Sequence, residues 1–372
     1  MSEAMEHLLA AEGAPPRRSW KRPQGLQEVL AMVLLAASVA AGLWSVFWVG
    51  RHSWAIWRLT RRRRYDVVHV HWPVPHALFG WVARLFGRAR IVSSWYGVEL
   101  RWVQSSLPWL RWFVRWALKI SDAVVAISSY TAGEIARFAR TPVRVIPYTL
   151  GFAPAAAHRS ETTGQFGILF VGRLVERKGV THLIEAVRRL PAEIRPRLTL
   201  IGDGPERAPL EAQIARDGLG DRVAVRGRVS EAELRDAYAA SKVLVLPSIL
   251  DARGDTEGLG VVLLEAMSYG VPVIGSDLGG ITDIVRNGET GLLVPPGDPD
   301  ALSGALQRVA RDSGLASRLG EAGRAHVATA FGWPAIMAQW EECYASAAAA
   351  GTRTGTATPA APGAMLPPAK GR

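Results

Sequence analysis

From Tyr65 onward the chain alternates short apolar runs with amphipathic stretches. It does so in two series, separated by one polar break at residues 152–165. In the first series the runs Tyr65–Trp72, Ile91–Ser94, Ala123–Ser128 and Val143–Pro147 read as strands, and Ala77–Phe86, Pro108–Ile120 and Thr131–Ala139 have helical spacing. In the second, strands are expected at Gly167–Val171, Leu198–Ile201, Val223–Val225, Val243–Leu246, Val271–Ile274 and Leu292–Val294. Helices fall near residues 179–190, 206–217, 230–241, 261–269, 280–286, 299–311 and 316–330, with a last one over Pro334–Ala345. Such alternation predicts an α/β fold of parallel sheets covered by helices. Two doubly wound domains in series leave a cleft between them, a usual place for a ligand.

The 372 residues, 49% of them hydrophobic, suffice for two domains with sizeable cores. Cys343 is the single cysteine, so neither an internal disulfide nor a cysteine zinc site can form, which suits a reducing cytoplasm. The net charge of +11 is unevenly placed: residues 1–150 carry 20 Lys and Arg against 8 Asp and Glu, and residues 151–372 carry 24 against 25. Twelve of the 14 tryptophans precede residue 117. Basic residues mixed with tryptophan point to an anionic membrane surface. Nucleic acid would also suit the charge, but no nucleic-acid motif is present and none is expected as a partner.

Within the basic N-terminus, residues 1–64, the run Val29–Gly50 has 22 uncharged residues, long enough to span a bilayer as a helix. Arg51, Trp54, Trp57, Arg58 and Arg61–Arg64 follow it, which fits an exit on the cytoplasmic side. A buried helix of the first domain is the other reading. Further on, Pro108–Ile120 sets Trp109, Trp112, Phe113 and Trp116 on one side, with Arg111, Arg115 and Lys119 along a neighbouring stripe. The aromatic side is expected to pack on its own sheet, leaving the charged stripe able to touch lipid. Residues 346–372, rich in Ala, Thr, Pro and Gly, read as a disordered tail.

The strand Gly167–Val171 ends in Gly172-Arg173, and Arg177-Lys178-Gly179 leads into the next helix. Arg173 and Lys178 then lie at the carboxyl end of a strand beside a helix N-terminus, where phosphate is favoured. Two solvated surface charges would read the same way. After Val243–Leu246, a loop carries Glu257, Gly258, Leu259 and Gly260, and Val261 opens a helix containing Glu265. The glycines let a backbone approach a ligand, and the free N–H groups of the helix start attract anions. Glu257 can accept sugar hydroxyls. Glu265, eight residues on, is expected two helical turns away on the same side, suited to ribose hydroxyls. Gly227-Arg228-Val229 reads as a turn capped by Ser230 and Glu233, with contact to a base as a lesser role. His69 and His71 alternate on one strand without accompanying carboxylates, and Asp298-Pro299-Asp300 reads as a helix cap; no metal is expected.

The strings FVGRLVERKGV, LIGDGPE, VLPSILDARGDTEGLGVVLLEAMSYGVPVIGSDLGG and GETGLLVPPGDPDAL, in that order, resemble the donor domain of the retaining glycosyltransferase family 4, which has the GT-B fold of two Rossmann-like domains facing a cleft. Glu257 and Glu265 match its E-x7-E signature. The resemblance implies that Arg173 and Lys178 hold a donor diphosphate, that Glu257 contacts the donor sugar and Glu265 the ribose, and that Gly172 and the backbone over Gly258–Val261 complete the pocket. It implies a donor domain at 166–330, a helix crossing back at 331–345, an incomplete acceptor-side domain at 65–151, and no cofactor beyond the UDP- or GDP-sugar substrate. The first domain matches less well. Tyr96-Gly97 stands where many members have His-Gly, His71 is placed in the cleft, and the family's opening strand and glycine-rich loop have no counterpart in residues 1–64.

The function implied is transfer of a hexose from the nucleotide sugar to a lipid-linked or saccharide acceptor, with retention, at the cytoplasmic membrane face. Two other readings stand beside it: a membrane scaffold that keeps a nucleotide-sugar pocket without catalysis, and a GT-B isomerase acting on a free nucleotide sugar.

Overall fold

A computed structural model describes residues 47–150 and 164–349. The chain divides into two units, one ending at Leu59 and one beginning at Thr60. In the first, residues 47–59 are helical. All but the last four residues of the apolar run Val29–Gly50 lie outside the described residues, as do most of the 152–165 break and the tail beyond Ala349. Among the described residues no helix is long and apolar enough to cross a membrane.

The second unit holds two parallel sheets. The first runs β1 (Val67–His71), β2 (Arg90–Trp95), β3 (Ala123–Ala126) and β4 (Val143–Val145), side by side in chain order. Its helices are α1 (Pro73–Gly87), α2 (Val98–Ser105), α3 (Arg111–Ile120) and α4 (Ser129–Ala136). The central strands β2 and β3 are buried almost throughout, while the edge strands β1 and β4 are only partly covered. One face packs Trp95, Val124 and Ala126 against Leu100, Val103, Val114, Leu118 and Ile135 of these helices.

Two features depart from the sequence reading. Helix α2 was not expected, because only Leu100 and Val103 mark a buried stripe in an otherwise polar segment. On α3 it is Val114, Ala117 and Leu118 that are buried, while Trp109 and Trp112 remain 65% and 62% exposed. The aromatic side therefore divides: Phe113 and Trp116 pack against the core, and the outer two tryptophans do not.

The second sheet has six strands: β5 (Phe166–Val171), β6 (Pro196–Ile201), β7 (Val223–Gly227), β8 (Val243–Leu246), β9 (Val273–Ser276) and β10 (Leu292–Val294). They lie in the order β10-β9-β8-β5-β6-β7, so the chain reverses its direction of growth between β5 and β8. The flanking helices are α5 (Val180–Arg188), α6 (Arg207–Arg216), α7 (Glu231–Ala240), α8 (Val261–Ser268), α9 (Ile281–Ile284), α10 (Pro299–Arg311) and α11 (Ser313–His326). Asp298 caps α10 by accepting from the N–H groups of Asp300 and Ala301, both at 2.9 Å. Ser230 and Glu233 close a capping box at α7.

The last helix, α12 (Trp333–Ala349), returns to the first sheet. Its Ile336, Cys343 and Ala347 pack on Val92, Val125 and Ile146. It runs past the expected start of the tail at residue 346, because Ala347 is buried there and Ser346 Oγ accepts from Arg144 Nη2 at 3.0 Å. The second unit thus holds two Rossmann-like domains in series, each a parallel sheet flanked by helices.

Candidate functional site

In an open α/β sheet, loops on the two sides of a strand-order reversal diverge and leave a crevice at the carboxyl edge. Here that point lies between β5 and β8, paired through Ile168 with Val243 and Leu169 with Leu244. The loop after β5 carries Gly172, Arg173, Arg177 and Lys178; the loop after β8 carries Glu257. Two contacts tie the loops together. The Ile249 N–H donates to the Arg177 carbonyl at 2.9 Å. Gly179, at φ +63°, lies so close to Pro247 that a Cβ there would meet its carbonyl oxygen at 2.0 Å. Only glycine permits both that conformation and that approach.

The sequence reading placed Lys178 open beside a helix N-terminus. The structure instead directs its side chain inward, where Nζ donates to Glu257 Oε2; the two side chains are 10% and 12% exposed. The segment Glu176–Lys178 is a single 3₁₀ turn, and the α-helix begins only at Val180, after the left-handed Gly179. Arg177 Nη1 stands 3.7 Å from the same Glu257 oxygen and donates to the Thr256 carbonyl at 3.2 Å. Burial works to raise the Glu257 pKa, but Lys178, Arg177 and the Leu259 N–H outweigh it and hold the carboxyl below its ordinary range. Glu257 is also gripped from behind: its carbonyl accepts from Gly280 N–H at 2.9 Å.

Arg173 is different. It is exposed, its side chain forms no ion pair or hydrogen bond among the described residues, and it lines a cavity of about 620 Å³ with Gly172, Gly202, Asp203, Arg228, Val229 and Leu234. That volume is ordinary for a small-molecule site. Lys178 does not line the cavity but lies next to its wall, its Nζ 3.7 Å from where a Gly172 Cβ would be. Among the positions singled out in the sequence, Gly172, Arg173 and Arg228 thus share one cavity, and Lys178 and Glu257 adjoin it as a charge pair.

Glu265 occupies a separate position. The helical spacing read between Glu257 and Glu265 does not relate them, because α8 starts at Val261 after a left-handed Gly260 at φ 92°. Glu265 accepts instead from the Tyr238 hydroxyl of α7 at 2.5 Å, and burial raises its pKa. Tyr238 answers why a carboxylate interrupts the apolar run of α8, a partner that no local pattern reveals.

The first domain meets this site directly. A Cβ on Gly258 would sit 3.6 Å from Ile127 Cδ1 and 3.7 Å from the Tyr96 carbonyl oxygen, so the Glu257–Gly258 segment rests on the end of β2. Asp255 bridges the two domains, 3.1 Å from Arg101 Nε and 3.5 Å from Arg177 Nε. Asp283 accepts from Ser129 N at 2.5 Å and from its hydroxyl. Tyr96 and Gly97 follow β2; His71 ends β1, and its Nδ1 is 2.5 Å from the Tyr96 hydroxyl. His69, on the same strand, is fixed by Ser94 Oγ at 2.7 Å and the Tyr344 hydroxyl at 2.9 Å, and burial together with His71 lowers its pKa to about 4.

Glu99 was missed in the sequence. It is 2% exposed, accepts from Tyr96 N–H at 2.8 Å, and burial raises its pKa to about 7. Its proximity to Tyr96 on a helix start was the only available signal.

The comparisons with known proteins agree with this architecture. Residues 156–326 match the family described as glycosyl transferases group 1, and residues 14–148 match glycosyltransferase family 4. A GDP-mannose-dependent α-(1-6)-phosphatidylinositol monomannoside mannosyltransferase of Mycobacterium tuberculosis is 32% identical over 297 residues, 76% of each chain. The N-acetyl-α-D-glucosaminyl L-malate synthase of Bacillus anthracis is 27% identical over 299 residues, 77% of this chain and 76% of that one. Among solved structures, HepE of Anabaena in complex with UDP superposes with a TM-score of 0.66 at 21% identity, over 79% of this chain and 82% of its own.

Proposed function

Because this chain belongs to the family 4 glycosyltransferases of GT-B fold, which transfer sugars, we propose that it moves a hexose from a UDP- or GDP-sugar to a lipid-linked or saccharide acceptor, retaining the anomeric configuration. The observation that carries this reading is the convergence of Arg173, Lys178 and Glu257 on the strand-order reversal, beside a cavity of ligand size. In the donor complex Arg173 receives the diphosphate and Lys178 shares its charge between Glu257 and the phosphates. Negative charge grows on the diphosphate as the sugar–oxygen bond breaks, so fixed cations there lower the barrier. Glu257, locked by Lys178 and Gly280, orients the donor ring. Arg228 and Val229, which also line the cavity, receive the base. The relative that uses GDP-mannose and the structure that binds UDP support both nucleotides as candidates.

We place the work at the cytoplasmic membrane face. Trp81, Trp116, Phe113 and Trp112 form a connected row of rings, with centroid separations of 6.4, 5.2 and 5.8 Å, and Trp109 and Trp112 are exposed beside basic residues. Aromatic rings flanked by cations suit the headgroup region of an anionic bilayer.

The test is nucleotide release from a panel of UDP- and GDP-hexoses by the purified chain in detergent, beside Glu257→Gln. Slow release from one donor, reduced at least tenfold in the variant, supports the transferase reading. Donor binding with no release, even with membrane extract as acceptor, would favour a scaffold. Conversion of the free donor to an epimer would favour an isomerase.

A further inference from the structure

The carboxyl ends of β1, β2 and β4 in the first domain carry a column of stacked rings that the donor site does not use. Trp72 and Tyr96 lie with centroids 5.0 Å apart at 24°, and Tyr96 and Tyr148 lie 6.0 Å apart at 15°. The outer members, Trp72 and Tyr148, are 44% and 41% exposed. A large indole left half in solvent loses several tenths of its burial energy, so its position calls for an account. The backbone adds another reason. Trp72 sits at φ 53°, ψ 68°, a left-handed conformation costly for a bulky residue. It is held there by His76 Nδ1, 3.0 Å from the Trp72 carbonyl and 3.2 Å from that of His71.

Polar groups border the apolar column. The Tyr96 hydroxyl joins His71 Nδ1, and Nε2 of this exposed imidazole has no hydrogen-bond partner among the described residues. Flat apolar rings beside an unpaired donor or acceptor match the two sides of a pyranose: a face of C–H groups and an edge of hydroxyls. The column also lies next to the donor half, since Gly258 rests on the Tyr96 carbonyl.

We propose that Trp72 is the platform of the acceptor subsite, that it stacks on the apolar face of a pyranose ring, and that His71 Nε2 hydrogen-bonds one of that ring's hydroxyls. The acceptor is thereby a saccharide, or a lipid that presents one, rather than an acyclic carboxylate or an isolated polyol. This inference rests on the transferase reading, but its first test requires no turnover.

Saturation-transfer NMR on the full chain in detergent, saturated with UDP and GDP to occupy the donor cavity, would use methyl α-D-mannopyranoside and methyl α-D-glucopyranoside as probes. L-malate and glycerol serve as comparators. At least one pyranoside should show saturation concentrated on the protons of one ring face. Trp72→Ala should reduce it at least fivefold, Trp72→Phe should retain most of it, and His71→Ala should weaken it without changing which face is saturated. Thermal midpoints within a few degrees of wild type show that the variants are folded. Equal signals in wild type and Trp72→Ala, no pyranoside signal in wild type, or a stronger response from malate would each overturn the proposal. Donor hydrolysis in water by the wild type separates the two readings. If the wild type releases no nucleotide while the pyranoside signal persists, the donor reading and the acceptor role fail together, and Trp72 stands as a saccharide platform alone.

Discussion

Replacing Lys178 by methionine keeps most of the side-chain volume and removes one partner of a buried charge pair. The pair lies at 10% and 12% side-chain exposure, so Glu257 would be left with a carboxylate that water reaches poorly. Removing one member of a buried pair costs about 3–5 kcal/mol. Arg177, 3.7 Å away, retains part of the compensation, which places the expected loss near the bottom of that range, about 3 kcal/mol. For a domain of this size that is a fall of roughly 6–12 °C in thermal midpoint.

The double variant Lys178→Met with Glu257→Gln leaves no unpaired charge and should recover about 2 kcal/mol relative to the summed single effects. The pH dependence has a definite sign. Glu257 is depressed in the wild type, so its contribution is present above the ordinary carboxylate pKa and lost as pH falls through the folded value. In Lys178→Met burial dominates and the carboxyl takes up a proton more readily, so the variant's deficit shrinks as pH is lowered from about 8 to about 5. Scanning calorimetry of the four proteins reads both effects. Strictly additive single and double variants, or a deficit that ignores pH, would refute the pair as an energetic unit.

Glu99 titrates in the opposite sense. Its folded pKa of about 7 lies above the ordinary 4.5, so its protonated form stabilises the fold below 4.5, and that contribution is lost as pH rises through 7, about 3 kcal/mol in all. Glu99→Gln should therefore gain on the wild type by that order between about pH 5 and pH 8 in denaturant midpoints; a constant difference would contradict the burial argument. Gly179→Ala and Gly218→Ala share φ +63°, but only the first meets an atom, the Pro247 oxygen at 2.0 Å. The control should cost about 1 kcal/mol and Gly179→Ala distinctly more, with loss of nucleotide binding, because Lys178 is the preceding residue. Equal midpoints for the two would show that the loop relaxes freely.

Much of the fold was legible because its signals are local. Strands such as Val243–Leu246 and Leu292–Val294 match their apolar runs residue for residue, since parallel strands buried on both faces must be apolar throughout. Helix α2 escaped because its buried stripe is two residues wide. The site was legible as residue types but not as pairings. Glu257 with Lys178 is a contact across 79 residues, and Glu265 with Tyr238 one across 27, and no periodicity encodes either. Trp112 of α3 and Trp109 of the turn before it stay outside because a helix with Val114, Ala117 and Leu118 already buried has no further need of them in its core. In the first domain His71 is legible as a cleft residue, but its contact from β1 with the Tyr96 hydroxyl is not.

A nucleoside diphosphate is expected to bind where β5 and β8 part, and Arg173 is the residue that reports on it most directly. The exposed Arg173 side chain has no partner among the described residues, so Arg173→Ala is expected to remove a ligand contact while leaving the fold in place. Calorimetric titration of wild type and Arg173→Ala with UDP and with GDP should show one nucleotide binding the wild type. The variant should bind it about 10–100-fold more weakly, as expected for a charge-assisted hydrogen bond of about 1.5–3 kcal/mol, at an unchanged thermal midpoint. Equal affinity in the two proteins, or no binding of either nucleotide to the wild type, would contradict the assignment of this cavity.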